Sequence, residues 1–356
     1  MILQRYIAMN LVQGWLLVLF IIGSVFGLIS FITELERTRF DYDALAVARY
    51  TIFTLPQKLV MLAPVIALLG SIVALANLDR FNELTVMSCA GVPRRKLLQA
   101  IALPTLCFMA LLWAALEFAT PRLYQVAEQE RHHLRYRGDV RIPDGGIWSR
   151  SGRRYLHLGQ LREGGVPGDI SIFELDDKGQ LVRAIHATTA EVLPDRVWRL
   201  QRLWEKKLVD GDFRMKRHKT LDVERMWAAD ELPTLHLSND SMTLSVLYNY
   251  ARFRANNDQP ASTFFANFWQ RMFLPLTVAA MVLLATPISA SLGSRRNANF
   301  GVNMAVGALV GILFYLGAQI MFALGQLLAV PEPLVALSPT LVVAFAALLL
   351  LGRMRW

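Results

Sequence analysis

Six stretches of the chain contain no Asp, Glu, Lys, Arg or His: Asn10 to Thr33, Leu59 to Leu78, Leu97 to Leu116, Met272 to Ser294, Asn297 to Pro331 and Pro333 to Gly352. A helix crosses a hydrocarbon core about 30 Å thick with about 20 residues, so each stretch predicts a membrane span. The fifth exceeds that need, and part of it is expected to be flanking backbone. Between the third and fourth spans the period changes. Glu128 to Arg137 reads as a charged helical stalk. Beyond it, Arg154-Tyr-Leu-His-Leu, Asp169-Ile-Ser-Ile-Phe-Glu-Leu, Leu181-Val-Arg-Ala-Ile and Val197-Trp-Arg-Leu-Gln-Arg-Leu-Trp alternate apolar with polar, as half-buried strands do. Asp144-Gly145, Ser151-Gly152, Lys178-Gly179 and Asp210-Gly211 supply turns. Ser245 is placed to cap a short helix carrying Leu247, Tyr250 and Phe253.

The predicted fold is a membrane protein with six transmembrane α-helices, three plus three, around an inserted all-β domain, a sandwich or incompletely closed barrel. Residues 1–118 would hold the first three spans and a loop at 77–96, residues 119–262 the stalk, β domain and return helix, and residues 263–356 the last three spans.

Composition agrees: 54% hydrophobic and 18% charged residues, with a mean hydropathy of +0.36, argue against a purely soluble enzyme. Arg5 precedes the first apolar run, but Thr33, Glu34 and Leu35 follow it instead of a small-residue cleavage site, so the first helix reads as retained. On one face, Arg5, Arg80, Arg94, Arg95, Lys96, Arg295, Arg296, Arg353 and Arg355 stand against only Asp79 and Glu83. The opposite face is nearly balanced, so the positive-inside rule predicts cytoplasmic termini and an external large domain. The net charge of +9 then reflects topology and calls for no nucleic acid. The two cysteines, Cys89 and Cys107, offer the external domain no disulfide.

Candidate chemistry is sparse. No Gly-x-x-x-x-Gly-Lys-Ser/Thr, His-Glu-x-x-His or Cys-x-x-Cys occurs, so neither catalytic nor metal-ligating residues are assigned, and the chain carries no phosphate cradle of its own. The apolar stretches lack ionisable groups, which argues against an ion-coupled carrier. The loop Asn77 to Lys96 predicts a short amphipathic helix, with Leu84 and Met87 on one face and Gly91 and Pro93 at its end. It fits either a peg in a partner's groove or a helix lying in the lipid interface. Gly23 with Gly27, and Gly307 with Gly311, form small-residue pairs one turn apart and are candidate contacts with neighbouring chains.

The run Asn82-Glu83-Leu84-Thr85-Val86-Met87 followed by Ala90-Gly91 resembles the loop between the second and third spans of the lipopolysaccharide-export permeases LptF and LptG. Arg5-Tyr6-Ile7, Leu68-Leu69-Gly70 and Trp269-Gln-Arg-Met-Phe-Leu-Pro275-Leu276 extend the resemblance along the chain. Tyr42-Asp43-Ala44-Leu45, Gly146-Ile147-Trp148, Val197-Trp198-Arg199-Leu200 and Leu247-Tyr-Asn-Tyr250 resemble the LptG branch more than the LptF branch.

The resemblance implies an inner-membrane permease subunit with a periplasmic β-jellyroll. Its partners would be an LptF permease, an LptB ATPase dimer, LptC and lipopolysaccharide, with ATP and magnesium bound by the ATPase and no cofactor in this chain. It favours the peg reading, with Arg80, Glu83, Leu84, Met87 and Gly91 as coupling residues. It also places the first and fifth spans, with Gly23, Gly27, Gly307 and Gly311, at a lateral lipid gate. Lipid A phosphates require cations near the outer end, for which Arg37, Arg39, Arg131 and Arg135 are candidates. Some relatives carry a lysine just before that end of the first span, where this chain has Ser30. The rival readings are a non-transport inner-membrane scaffold anchoring a periplasmic β module, and a lipid-modifying enzyme for which no catalytic constellation stands in the sequence.

Overall fold

The structure is a computed structural model describing residues 2–38, 42–81, 83–91, 93–136, 147–151, 153–162, 166–176, 179–193, 197–209, 212–224, 239–256, 259–293, 300–328 and 330–353. Helix α1 (Ile2–Leu35) has 34 residues, about 51 Å of helix, and so extends past the hydrocarbon core. Helix α2 (Ala44–Met61) begins where the Asp43 carboxylate accepts from the Ala46 amide at 2.9 Å. Most of this helix lies outside the uncharged stretches, because Arg49 and Lys58 interrupt its apolar positions. Leu62 separates α2 from α3 (Ala63–Arg80), and Pro64 occupies the first turn of α3, where its missing N–H leaves no bond unmade.

A seven-residue helix, α4 (Glu83–Cys89), follows, and Gly91 ends it at φ +73°, a conformation that favours glycine. Helix α5 (Arg94–Ala114) passes through a π turn (Ala115–Ala119) into α6 (Thr120–Tyr136). Pro121 accounts for that turn: it cannot donate to the Glu117 carbonyl and its ring would clash there, so the helix widens by one residue.

The external domain is a six-stranded antiparallel sheet of β1 (Ile147–Ser151), β2 (Arg154–Arg162), β3 (Val166–Leu175), β4 (Leu181–Leu193), β5 (Val197–Val209) and β6 (Asp212–Val223), each paired with its sequence neighbours. The all-β prediction holds. Its core is Leu156, Leu158, Ile170, Ile172, Ile185, Trp198 and Leu200 with their neighbours. Simple alternation fails at one level. Ala187 and Ala190 on β4, opposite Leu203 and Leu200 on β5, are all buried, so two residues separate successive core positions. Arg202 at φ 50° makes this shift on β5, and Asp169 at φ 49° lies on the adjoining β3. Gly159 is required there, since a Cβ would stand 2.2 Å from the Asp169 carboxylate.

Beyond the apolar rows, Arg154, Glu174, Arg183, Glu205 and His218 form a cross-strand ion ladder. Burial alone would raise the Glu205 carboxyl, but Arg183 at 2.6 Å and His218 at 3.1 Å outweigh it and hold the group below the usual carboxylate range.

The chain returns through a short 3₁₀ turn (Asn239–Ser241) and α7 (Leu244–Asn256), whose Phe253 packs on the sheet core. Thr243, not Ser245, caps α7: its hydroxyl accepts from the Val246 amide at 3.2 Å, while the Ser245 hydroxyl donates to Glu117. Helices α8 (Ser262–Gly293), α9 (Phe300–Leu327) and α10 (Glu332–Arg353) complete the chain.

Among the described residues six helical segments are long and apolar enough to cross a membrane: Leu3–Leu35, Ala63–Arg80, Lys96–Arg131, Ser262–Ser289, Met304–Leu327 and Glu332–Arg353. The three-plus-three arrangement is as predicted. The spans in α3 and α8 are 67% and 72% buried and form the centre, whereas those in α1 and α9 are 11% buried and lie outside.

Candidate functional site

Two polar regions lie at opposite ends of the helix bundle. At the first, the start of α1 meets α4. Glu83 opens α4, where a carboxylate favours the positive end of the helix dipole. Its Oε1 accepts from the Tyr6 hydroxyl at 2.9 Å, while its Oε2 is buried with no hydrogen-bond partner among the described residues. A buried carboxylate oxygen without a donor is costly. Leu3 and Met87 pack against the core formed by Ile7, Leu78 and Leu97, so α1 and α4 share one apolar base. Arg80 ends α3, its guanidinium 6.0 Å from the Phe81 ring centroid, and Gly91 closes α4. Arg80, Glu83, Met87 and Gly91 are thus gathered at one end. Leu84 lies on α4, with its side chain outside the described residues.

At the other end, α1, α2 and α6 enclose a network around Glu34, whose side chain is only 7% exposed. Arg131 Nη1 stands 3.3 Å from Glu34, its Nη2 2.7 Å from Glu128, and its guanidinium 4.8 Å from the Tyr50 ring centroid. Arg37 approaches Glu34 at 3.4 Å, and Arg49 pairs with Glu130. The Tyr42 hydroxyl also donates to Glu34, at 3.4 Å, and burial, with that carboxylate beside it, pushes the Tyr42 phenol up, so it stays protonated. Arg131 is therefore engaged within the chain, and Arg37, half exposed, is the more available of the two. Arg39 lies outside the described residues. Arg135 continues α6, its side chain likewise outside them.

Sequence reasoning missed Lys58. Its ammonium donates to the Ser30 hydroxyl at 2.8 Å, and among the described residues no carboxylate lies within ion-pair distance of it. A cation thus stands beside Ser30, supplied by α2. Asp43 capping an apolar run from Leu45 was the available signal for that helix.

Within this chain the glycine pairs lie against its own helices. A Cβ at Gly23 would meet Leu59 at 3.5 Å and one at Gly27 would meet Leu55 at 3.6 Å, both on α2. At Gly307 it would meet Ile72 at 2.6 Å, and at Gly311 Val65 at 3.1 Å, both on α3. The tightest seam was not anticipated: Gly14 and Gly70 bring α1 and α3 together, with Trp15 Nε1 donating to the Ser71 hydroxyl at 2.9 Å. The faces of α1 and α9 that point outward are apolar instead, through Phe20, Val25, Leu28, Ile312, Leu316 and Ile320. Among the described residues no group of His, Cys, Asp or Glu is placed to hold a metal ion.

Comparison with known proteins gives an end-to-end match. The family described as lipopolysaccharide export system permease LptF/LptG matches residues 5–353. The chain is 28% identical to the lipopolysaccharide export system permease protein LptG of Escherichia coli strain K12 over 358 residues, covering 99% of this chain and 98% of that protein. It is 27% identical to the protein of the same name from Haemophilus influenzae, with 99% of each chain covered.

Proposed function

The chain belongs to the lipopolysaccharide export permease family LptF/LptG, and from that premise we propose how it works: it extracts lipopolysaccharide from the inner membrane and passes it to its β domain, driven by a separate ATPase. It is a multi-pass membrane permease, a transport subunit. The observation that carries the reading is the match from residue 5 to residue 353, which takes in the spans, the α4 loop and the sheet together.

In this reading the termini and α4 face the cytoplasm and the sheet faces the periplasm, supported by the basic loops. A second permease of the LptF type, an LptB-type ATPase dimer and an LptC-type protein complete the assembly, and ATP with magnesium belongs to the ATPase. Glu83 meets a donor on that ATPase, with Arg80, Leu84, Met87 and Gly91 shaping the peg. At the opposite end Lys58 and Arg37 offer charge to lipid phosphates. Arg39, Arg131 and Arg135 are the further candidates, and Arg131 would have to leave Glu34 or Glu128. The outward apolar faces of α1 and α9 receive acyl chains or the second permease.

Purification tests this. An ATPase should co-isolate with the chain, and its turnover should respond to lipopolysaccharide. Isolation of the chain alone from a cell containing its partners would oppose the reading. Glu83→Ala should leave the chain inserted but weaken that association by about 2 to 5 kcal/mol, the scale for losing one partner of a buried interfacial charge pair.

A further inference from the structure

We propose that Tyr6 is a positioning residue for Glu83: its hydroxyl holds the carboxylate at the start of α4 and ties the first span mechanically to the coupling helix. This rests on the coupling role proposed above for Glu83.

A glutamate at the first position of a seven-residue helix has three side-chain torsions to fix and little local structure to fix them. Among the described residues the Tyr6 phenol does so, 77 residues away in sequence and 2.9 Å away in space. A phenol donating to a carboxylate makes a charge-assisted bond, stronger than a neutral one. It engages Oε1, while Oε2 has no partner among the described residues, so the phenol holds the carboxylate in one orientation.

The anchor itself is firm. Ile7, next to Tyr6, is fully buried, Leu3 packs against the same core, and the Asn10 amide donates to the Tyr6 carbonyl at 3.1 Å. Met87, one turn after Glu83, packs against that core as well. Yet the Tyr6 ring is 43% exposed and its hydroxyl contributes little to burial. The hydroxyl's role is therefore orientation. Because α1 is also among the most exposed spans and packs along α3 at Gly14, a shift of α4 carried through this bond reaches the whole first span.

The test uses the assembled exporter in micelles or proteoliposomes and a double-mutant cycle of Tyr6→Phe, Glu83→Ala and the pair. Phe keeps the ring and its packing, so thermal stability and retention of the second permease should stay at the wild-type level. ATPase affinity should fall by roughly two- to tenfold, the range for one lost hydrogen bond. Lipopolysaccharide released per ATP should fall with it. The double variant should be no weaker than Glu83→Ala alone, because Tyr6 acts only through the carboxylate. Glu83→Gln, which keeps an oxygen for the phenol, should retain sensitivity to Tyr6→Phe.

Full additivity of the two substitutions, or an unaltered complex in Tyr6→Phe while Glu83→Ala is weakened, overturns the positioning role and leaves the coupling role standing. A silent Glu83→Ala overturns both.

Discussion

The close approach of α1 and α3 yields a quantitative prediction. At Gly14 an added Cβ would lie 2.3 Å from the Gly70 carbonyl oxygen and 3.2 Å from Ala74 Cβ. The first of these is about 1 Å short of ordinary contact, and its partner is helical backbone that cannot rotate away. Gly14→Ala must therefore lift α1 from α3 by about 1 Å. That displacement stretches the buried Trp15–Ser71 bond from 2.9 Å past hydrogen-bonding distance, a loss of about 1 kcal/mol. Overpacking adds about 1 to 3 kcal/mol, so the total is about 2 to 4 kcal/mol. Two substitutions calibrate the scale. At Gly23 the new Cβ meets Leu59 at an ordinary 3.5 Å, so Gly23→Ala should be neutral or gain up to about 1 kcal/mol from helix propensity. At Gly307 the 2.6 Å contact is with Ile72 Cδ1, the tip of a side chain that can turn, so Gly307→Ala should fall between them. Unfolding of the purified chain by SDS titration, followed by tryptophan fluorescence, gives the three values. Equal stability of Gly14→Ala and Gly23→Ala would refute the backbone contact on which the estimate stands.

Other perturbations have equally definite outcomes. Arg131→Met removes one cation from Glu34 while Arg37 and Tyr42 remain, so the same titration should show a loss of about 1 to 3 kcal/mol, less than for a buried pair with no second partner. Replacing Glu34 with Gln as well should recover part of it. The Glu205 carboxyl is held below its unfolded value, so its contribution to the sheet is complete above an unfolded pKa of about 4.3 and is lost as pH falls through the folded value. Amide exchange in β4 and β5 should accelerate over that acid range, and Arg183→Met should make exchange faster near neutrality and flatten the pH dependence. Lys58→Met should reduce capture of lipid phosphate without loosening the ATPase, and the reduction should persist at high salt if the ammonium meets the phosphate desolvated. Capture that is unchanged at low salt would assign the cation a purely structural contact with Ser30.

The spans were legible because exclusion of charge over about 20 residues is a constraint the bilayer imposes on sequence directly. The sheet was legible from alternation wherever alternation holds, and not at the level of Arg202 and Asp169, where left-handed residues shift the pattern. Helix α2 escaped because Arg49 and Lys58 break its apolar run, although both find partners at one end of the bundle. The glycine pairs were visible as spacing within a helix, but spacing does not say which neighbour they face. Gly14 and Gly70 have no such signal, since each is a lone glycine whose meaning lies in the other. Glu83 was singled out by its family motif, whereas its bond to Tyr6 is a tertiary fact with no local trace.

Direct capture tests most closely the proposal that this chain extracts lipopolysaccharide from the membrane and passes it to the β domain. Photo-crosslinkers at Val25 and Leu28, on the outward face of α1, would be placed in the exporter reconstituted with its ATPase and lipopolysaccharide. The account predicts adducts at both positions before ATP is added and their loss as ATP drives lipid onward, with new adducts appearing on the sheet. Absence of any lipopolysaccharide adduct on this chain, while the second permease is labelled in the same complex, would contradict it.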